Sequence, residues 1–129
     1  MNNPSFLIYI IMNINWESHS LRMLGLASII FLIVVVIRYF FPQKRPNYWY
    51  GYNSSLSTKS QEHWDFAQSY YDLLMMKCAL FMLGIGFLSS MFVTDSFIDA
   101  LLSTPLIIII AGFMRYKTER AIRKKFSKN

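Results

Sequence analysis

A nearly uninterrupted apolar run from Leu21 to Phe41 constrains this chain more than any other feature of its sequence. Its two charges, Arg22 and Arg38, lie near its ends, and apolar side chains fill positions 29–37 on every face. A helix of this length is about 31 Å long, which matches the hydrocarbon core of a bilayer. A surface helix of a soluble protein would have a polar face. The sequence therefore predicts a transmembrane span over residues 21–41.

A second apolar segment, residues 73–92, would also be about 30 Å long as a helix. Lys77 is its only charged residue. A lysine at the bilayer centre costs about 2.5–3.5 kcal/mol, whereas one near the end of a span extends its ammonium group to the headgroups. Lys77 is therefore either a lysine of the membrane interface or the partner of an acidic group inside the bundle.

A third span is predicted over residues 97–116, and Pro105 leaves its form open. Pro105 either begins the helix, with Thr104 as the cap, or kinks a longer helix. In the second case, the hydroxyls of Ser103 and Thr104 would help to satisfy the backbone that the proline leaves unbonded.

The predicted fold is an all-α integral membrane protein with about three transmembrane helices. Residues 21–129 would form a single membrane domain, preceded by a variable N-terminal extension over residues 1–20. A connecting segment over residues 42–72 separates the first two spans, and a basic tail over residues 117–129 follows the third.

Positive charge is unevenly distributed among the segments that flank the spans. The chain has 13 Lys and Arg against 7 Asp and Glu, and most of the basic residues lie in the connecting segment and the tail. The loop between the second and third spans carries Asp95 and no basic residue. Basic flanks stay in the cytoplasm, and three spans place the connecting segment and the tail on one side. We therefore expect an outside N-terminus and a cytoplasmic C-terminus.

The tail is predicted to be helical because Glu119 lies four residues from both Arg115 and Arg123. Its basic residues either attract anionic lipid or dock a cytoplasmic partner; they include Arg120, Arg123 and Lys124. The tail is short and has no nucleic-acid recognition motif, so we expect no nucleic acid as a partner.

The connecting segment contains more than a simple loop. Pro42 and Pro46 end the first helix. An aromatic cluster suited to the membrane interface follows, comprising Tyr48, Trp49, Tyr50 and Tyr52. A helix capped by Ser60 or Thr58 is then predicted to lead into the second span. It is amphipathic, with one acidic stripe of Glu62, Asp65, Ser69 and Asp72, and another face of Trp64, Ala67, Tyr71 and Leu74.

Several kinds of site have no support in the sequence. One cysteine, Cys78, allows neither an internal disulfide nor a thiolate cluster. His19 and His63 lie far apart without ligand-like neighbours, so we expect no metal and no cofactor. No nucleophile or phosphate-binding loop accompanies the acidic residues, and we therefore expect that the protein is not an enzyme.

The block YGYNSSLSTKSQEHWDFAQSY, residues 50–70, resembles the signature of the SdpI family of bacterial membrane proteins. The matching positions are Gly51, Tyr52, Ser57, Lys59, Glu62, Trp64, Ala67, Gln68 and Tyr70. The order of a span, this motif, two more spans and a basic tail is also similar to the family's short members. The sequence departs from the pattern at Asn53 and Ser54, where Arg and Thr are expected, and at Asp72, where Gly is frequent.

This resemblance implies immunity and signalling at the bacterial inner membrane. The family's namesake protects its producer from a secreted peptide toxin and relays the toxin's presence by holding a cytoplasmic repressor at the membrane. The expected partners are therefore the lipid bilayer, a peptide toxin and a cytoplasmic repressor, with the motif positions as candidate partner-binding residues. The alternative is an accessory structural subunit of a larger membrane complex, packed through Gly25, Gly84 and Gly86.

Overall fold

A computed structural model describes residues 4–47, 49–93 and 95–127. Within those ranges the chain forms four helices and no strand: α1 (Pro4–Asn13), α2 (His19–Phe40), α3 (Gln61–Phe92) and α4 (Ser96–Phe126). The last three are long and apolar enough to cross a membrane, which confirms the all-α fold with three candidate spans. Tyr48 of the predicted aromatic cluster and Lys128 of the basic tail lie outside the described residues.

The N-terminal helix α1 is a short apolar helix whose side chains are largely exposed, including Phe6, Tyr9 and Met12. The segment after it joins the bundle, because the Asn15 N–H donates to the Ser90 carbonyl (3.2 Å). Part of the predicted extension thus contacts α3.

Helix α2 begins at a serine cap, where the Ser18 hydroxyl accepts from the Leu21 N–H (3.3 Å). Small residues let it approach α3 closely. A Cβ atom added to Gly86 would lie only 3.1 Å from the Ser20 carbonyl oxygen. Small residues permit such close backbone approach between membrane helices. Gly86 therefore serves packing within the bundle.

Helix α3 is one continuous helix of 32 residues, about 48 Å long and thus longer than a bilayer core is thick. Its cap is Ser60, whose hydroxyl accepts from the His63 N–H (3.3 Å). The Thr58 hydroxyl instead donates to the Ser54 carbonyl (3.0 Å). The predicted helix that leads into the second span is thus the first part of α3.

Helix α4 starts at Ser96, where the Asp95 carboxylate caps the Phe97 and Ile98 N–H groups (2.9 and 3.1 Å). It continues through Pro105 to Phe126, so the proline lies inside a longer helix and does not begin it. The Ser103 hydroxyl donates to the Asp99 carbonyl (2.8 Å). A helical N–H bonds to the carbonyl four residues back, so Pro105, which has no N–H, leaves a different carbonyl without its donor. The Ser103 hydroxyl therefore does not satisfy the backbone group that the proline leaves unbonded. The predicted helical tail is the last part of α4.

The middle of the bundle is apolar. Its buried centre is formed by side chains from all three long helices: Leu24, Met75, Cys78, Met82, Ile110 and Met114. Dispersion contacts dominate here, because lipid tails remove the hydrophobic drive that would hold helices together in water.

A buried carboxylate joins the three helices at the end of the bundle where α2 begins. Asp99 is only 2% exposed. It accepts hydrogen bonds from the Ser18 hydroxyl (2.7 Å), the Ser20 N–H (3.0 Å) and the Ser89 hydroxyl (2.9 Å), and also from the Ser20 hydroxyl. The carboxylate also faces the positive end of the α2 dipole, which stabilises it. We call Ser18, Ser20, Ser89 and Asp99 the Asp99 cluster.

Replacing Asp99 with alanine should destabilise the bundle, because three serine side chains would lose their shared acceptor. Buried donors without a partner typically cost about 1–3 kcal/mol, so we expect the D99A variant to lose about 2 kcal/mol or more of unfolding free energy. The measurement is unfolding by SDS titration in mild detergent. The control is Glu17→Ala, which breaks an exposed ion pair with Arg22 (3.1 Å) at the same end. Equal stability of the two variants would contradict a stabilising role for the Asp99 cluster.

Candidate functional site

The resemblance motif folds around the side-chain amide of Gln68. Its Oε1 accepts from the Tyr52 N–H (2.7 Å) and from the Arg38 guanidinium, while its Nε2 donates to the Tyr52 carbonyl (2.7 Å). Both main-chain groups of Tyr52 are thus bonded to one side chain. Only a group with a donor and an acceptor side by side does this, and a carboxylate lacks the donor. Gln68 therefore fixes the connecting segment on α3.

An ion pair extends this arrangement to α2. Arg38 Nη1 lies 2.9 Å from Asp72 Oδ1, and the Arg38 side chain is only 7% exposed. The guanidinium carbon also lies 5.9 Å from the centre of the Tyr71 ring. A cation in the last turn of α2 suits the negative end of its dipole. We call Arg38, Gly51, Tyr52, Gln68 and Asp72 the clasp.

Gly51 is required by the geometry of the clasp. Its φ of +96° lies in the region that favours glycine. A Cβ atom at this position would also lie 2.6 Å from Gln68 Oε1. Any side chain at position 51 would therefore displace the central amide.

Tyr52 connects the clasp to α4. Its hydroxyl donates to Glu119 Oε1 (2.8 Å), and its ring centre lies 4.7 Å from that of Tyr71. Burial, followed by the hydrogen bond and charge of Glu119, raises the pKa of Tyr52 above its ordinary value of 10.0. A tyrosine hydroxyl is a donor at neutral pH in any case, and the raised pKa extends this role into alkaline solution.

Three other motif residues are buried beside the clasp. The Ser57 hydroxyl accepts from the Ser54 N–H (2.9 Å) and closes the turn before α3. Trp64 is fully buried, and its Nε1 donates to the Gln43 carbonyl (3.0 Å). Ala67 is fully buried in the same small core as Tyr52. Six motif positions thus act together in holding the connecting segment.

The remaining predicted positions lie apart from the clasp. Lys59 and Glu62 are exposed near the start of α3. Arg123 borders a small recess beside Lys59 on one side of the tail. The others line the junction of α3 and α4: Tyr70, Lys77, Arg120 and Lys124. Lys77 forms no ion pair with any acidic residue in the described ranges, which favours its interpretation as an interface lysine.

Three charged residues of this end were not predicted as site residues. The sequence places Arg38 near the end of the first span, Asp72 in the acidic stripe and at a departure from the family pattern, and Glu119 four residues from two arginines of the tail. The sequence does contain a signal that would have predicted the Arg38–Asp72 pair. The two residues carry opposite charges and lie at the two ends of the connecting segment, at span ends on the same side of the membrane.

A cleft of about 470 Å³ opens beside the clasp, between the end of α2 and the first part of α3. Arg38, Asp65, Gln68 and Asp72 line it. In the described part of the chain, no group of three or more His, Cys, Asp and Glu side chains is placed to hold a metal ion. The cleft combines Tyr39 and Pro42 with hydrogen-bonding side chains, and the charges of Arg38 and Asp72 are already paired with each other.

One comparison with known proteins gives a match. The model of the SdpI/YfhL protein family matches residues 43–117, more than half of the chain. The matched region runs from the acceptor of the Trp64 hydrogen bond through α3 and most of α4. No curated protein and no solved structure matches the chain at a significant level.

Alanine at position 51 should weaken the clasp, because it forces an unfavourable φ and a contact with Gln68. Strain of this kind costs about 1–3 kcal/mol, and we expect a loss of unfolding free energy in that range for G51A. Gly84→Ala is the matched control, since open space surrounds Gly84 in α3. Alanine there should leave stability unchanged or raise it by up to about 1 kcal/mol. SDS titration in detergent measures both, and a G51A variant as stable as G84A would contradict the clasp geometry.

Proposed function

We propose that this chain, which belongs to the SdpI/YfhL protein family, protects a bacterial cell against a secreted peptide toxin and signals through a cytoplasmic partner. The match over residues 43–117 carries this proposal, because it covers the connecting segment from Gln43 onward with its motif, all of α3 and most of α4. Immunity and signalling are what the family's namesake performs.

The proposed orientation places the clasp in the cytoplasm. The basic residues of the connecting segment and of the tail lie at this end, and positive flanks remain inside. The Asp99 cluster would then lie near the outer surface of the inner membrane. A toxin arriving from outside would meet the Asp99 cluster end, and a cytoplasmic partner would meet the clasp end.

The surface proposed for the cytoplasmic partner consists of exposed residues next to the clasp. Trp49 is 97% exposed, and exposed Lys59 and Glu62 flank the start of α3. An exposed tryptophan is a frequent anchor of a binding surface, since aromatic residues are enriched in interface cores. The clasp would hold this surface in a fixed position relative to all three spans.

Coupling between the two ends is supported by how the clasp is built. Arg38 belongs to α2, Gln68 and Asp72 belong to α3, and Tyr52 bonds to Glu119 on α4. A toxin that changed the packing of any span would therefore alter the anchorage of the partner surface.

The orientation is tested by cysteine labelling in a Cys78→Ala background. We expect a membrane-impermeant maleimide to label Glu17→Cys in intact spheroplasts, and to label Ser127→Cys only after lysis. Both positions are exposed, so access to the reagent depends on the side of the membrane. Labelling of Ser127→Cys in intact spheroplasts would overturn the proposed orientation.

Protection is tested by expression in a bacterium sensitive to the peptide toxin that the family's namesake neutralises. We expect survival with the wild type. For Glu62→Ala we expect a shift of about tenfold or more in the protective toxin dose, because protection would require the cytoplasmic partner and its binding would weaken by about 1.4 kcal/mol. Glu62 is exposed and its side chain forms no hydrogen bond or ion pair within the described residues. The E62A variant should therefore insert and fold normally. Trp64 is a poorer probe because it is buried.

Glu17→Ala is the control, because it removes an exposed acidic residue at the opposite end of the bundle. Full protection by E62A would show that Glu62 is not part of the proposed partner surface. Absence of protection by the wild type, at normal membrane abundance, would contradict toxin immunity of this type.

An accessory subunit of a larger membrane complex is the second candidate. Gly25 on α2 and Gly84 on α3 have open space where a Cβ would stand. Such small residues on membrane helices permit a close approach by another helix. Purification in mild detergent followed by mass spectrometry distinguishes the candidates. A membrane enzyme or translocon at fixed stoichiometry would favour the subunit, whereas a soluble regulator lost with E62A would favour signalling.

A further inference from the structure

A groove at the junction of α3 and α4 has a basic section and an apolar section. The basic section, about 820 Å³, lies between the first part of α3 and the tail of α4. Its principal lining residues are Phe66, Tyr70, Lys117, Arg120, Lys124 and Lys125. The apolar section, about 530 Å³, lies further along the same pair of helices. It is lined chiefly by Leu74, Lys77, Phe81, Leu106, Ile109 and Phe113.

The two sections lie on the same face of each helix. On α3 the lining residues follow one another at spacings of three or four: Phe66, Tyr70, Leu74, Lys77 and Phe81. The α4 residues follow the same rule: Leu106, Ile109, Phe113, Lys117, Arg120 and Lys124. Residues at these spacings are neighbours along one side of a helix. The sections therefore form one groove that runs from the tail into the membrane span.

Within the described ranges, the cations of the basic section form no ion pair with an acidic group. The ion pairs of the described ranges are Arg22–Glu17 and Arg38–Asp72, and neither uses a residue of the groove. Lys117 Nζ lies 5.4 Å from the Phe113 ring centre, and Lys125 Nζ lies 4.2 Å from that of Phe66. Like charges at close spacing on one helix face repel each other. An anion bound between α3 and the tail would relieve this repulsion.

The apolar section indicates what the anion is attached to. Phe81 is 58% exposed, Ile109 64% and Phe113 45%, and all three lie in parts of α3 and α4 that are apolar enough to span a membrane. A soluble acidic protein cannot reach this section without entering the hydrocarbon. A ligand that fills both sections must have an anionic head and an apolar chain.

We infer that this groove binds one anionic phospholipid, drawn from the leaflet on the side of the clasp. The phosphate lies among Lys117, Arg120 and Lys124, and an acyl chain lies along Phe81, Ile109 and Phe113. Lys77 lies on the wall of the apolar section and extends its ammonium group towards the headgroup, as lysines near span ends do. Basic pockets between membrane helices are known sites for anionic headgroups. This site is independent of the proposed immunity.

The test uses the full chain, purified in mild detergent, depleted of lipid and titrated with phospholipid under native mass spectrometry. We expect one phosphatidylglycerol per chain, bound at least about tenfold more tightly than phosphatidylcholine with the same acyl chains. The double variant Lys117→Gln/Arg120→Gln should lose at least about tenfold in affinity for phosphatidylglycerol. Arg120 is exposed and Lys117 is half-buried, and neither forms any contact of the clasp. Thermal unfolding of the double variant confirms its fold.

The matched control is Lys59→Gln/Arg123→Gln, which removes two basic charges from the same end but outside the groove. Its affinity should stay within about twofold of the wild type. Equal losses of affinity in the two double variants would show that the lipid is attracted only by the general positive charge of this surface, which would overturn the inference. Glycerol 3-phosphate, used as a headgroup without chains, should not compete. Competition by glycerol 3-phosphate at the same concentration as the lipid would show a phosphate site and also overturn it.

Discussion

The pairing of the Gln68 amide with both main-chain groups of Tyr52 is the interaction on which the clasp end of the structure depends. It gives an irregular stretch of chain the hydrogen bonds that a helix or sheet would otherwise supply. The glycine at position 51 follows from it, since the amide occupies the space of a side chain there. Arg38 also bonds to the same amide, so α2 depends on it as well.

Directional bonds matter in this protein because lipid supplies no hydrophobic force that selects one helix arrangement over another. The apolar middle of the bundle fills space, while the Asp99 cluster and the clasp set the rotation and register of the helices at opposite ends. Gly86 also allows the backbones of α2 and α3 to approach each other closely. A few polar and small residues thus specify how three otherwise similar apolar helices pack.

Segment length, hydropathy and charge spacing were enough to predict the three spans, the helix leading into the second span and the helical tail. These properties can be read from the sequence because they are local. Pro105 could not be placed by sequence because a proline fits both the first turn and an interior position supported by neighbouring helices. The Asp99 cluster escaped prediction because serines separated by some seventy residues carry no signal until the helices are packed together. The motif positions pointed to the clasp region, but their mutual roles depend on contacts between elements.

The concentration of polar contacts at the two ends of the bundle has a consequence for how sequences of this kind diverge. Between the ends, Leu, Ile, Met and Val can replace one another wherever the volume is retained, since none of them makes a directional bond. At the ends, one exchange removes several hydrogen bonds at once. Relatives should therefore vary freely across their spans while keeping motif positions such as Gly51, Tyr52 and Gln68, so that overall identity is lost long before the architecture changes.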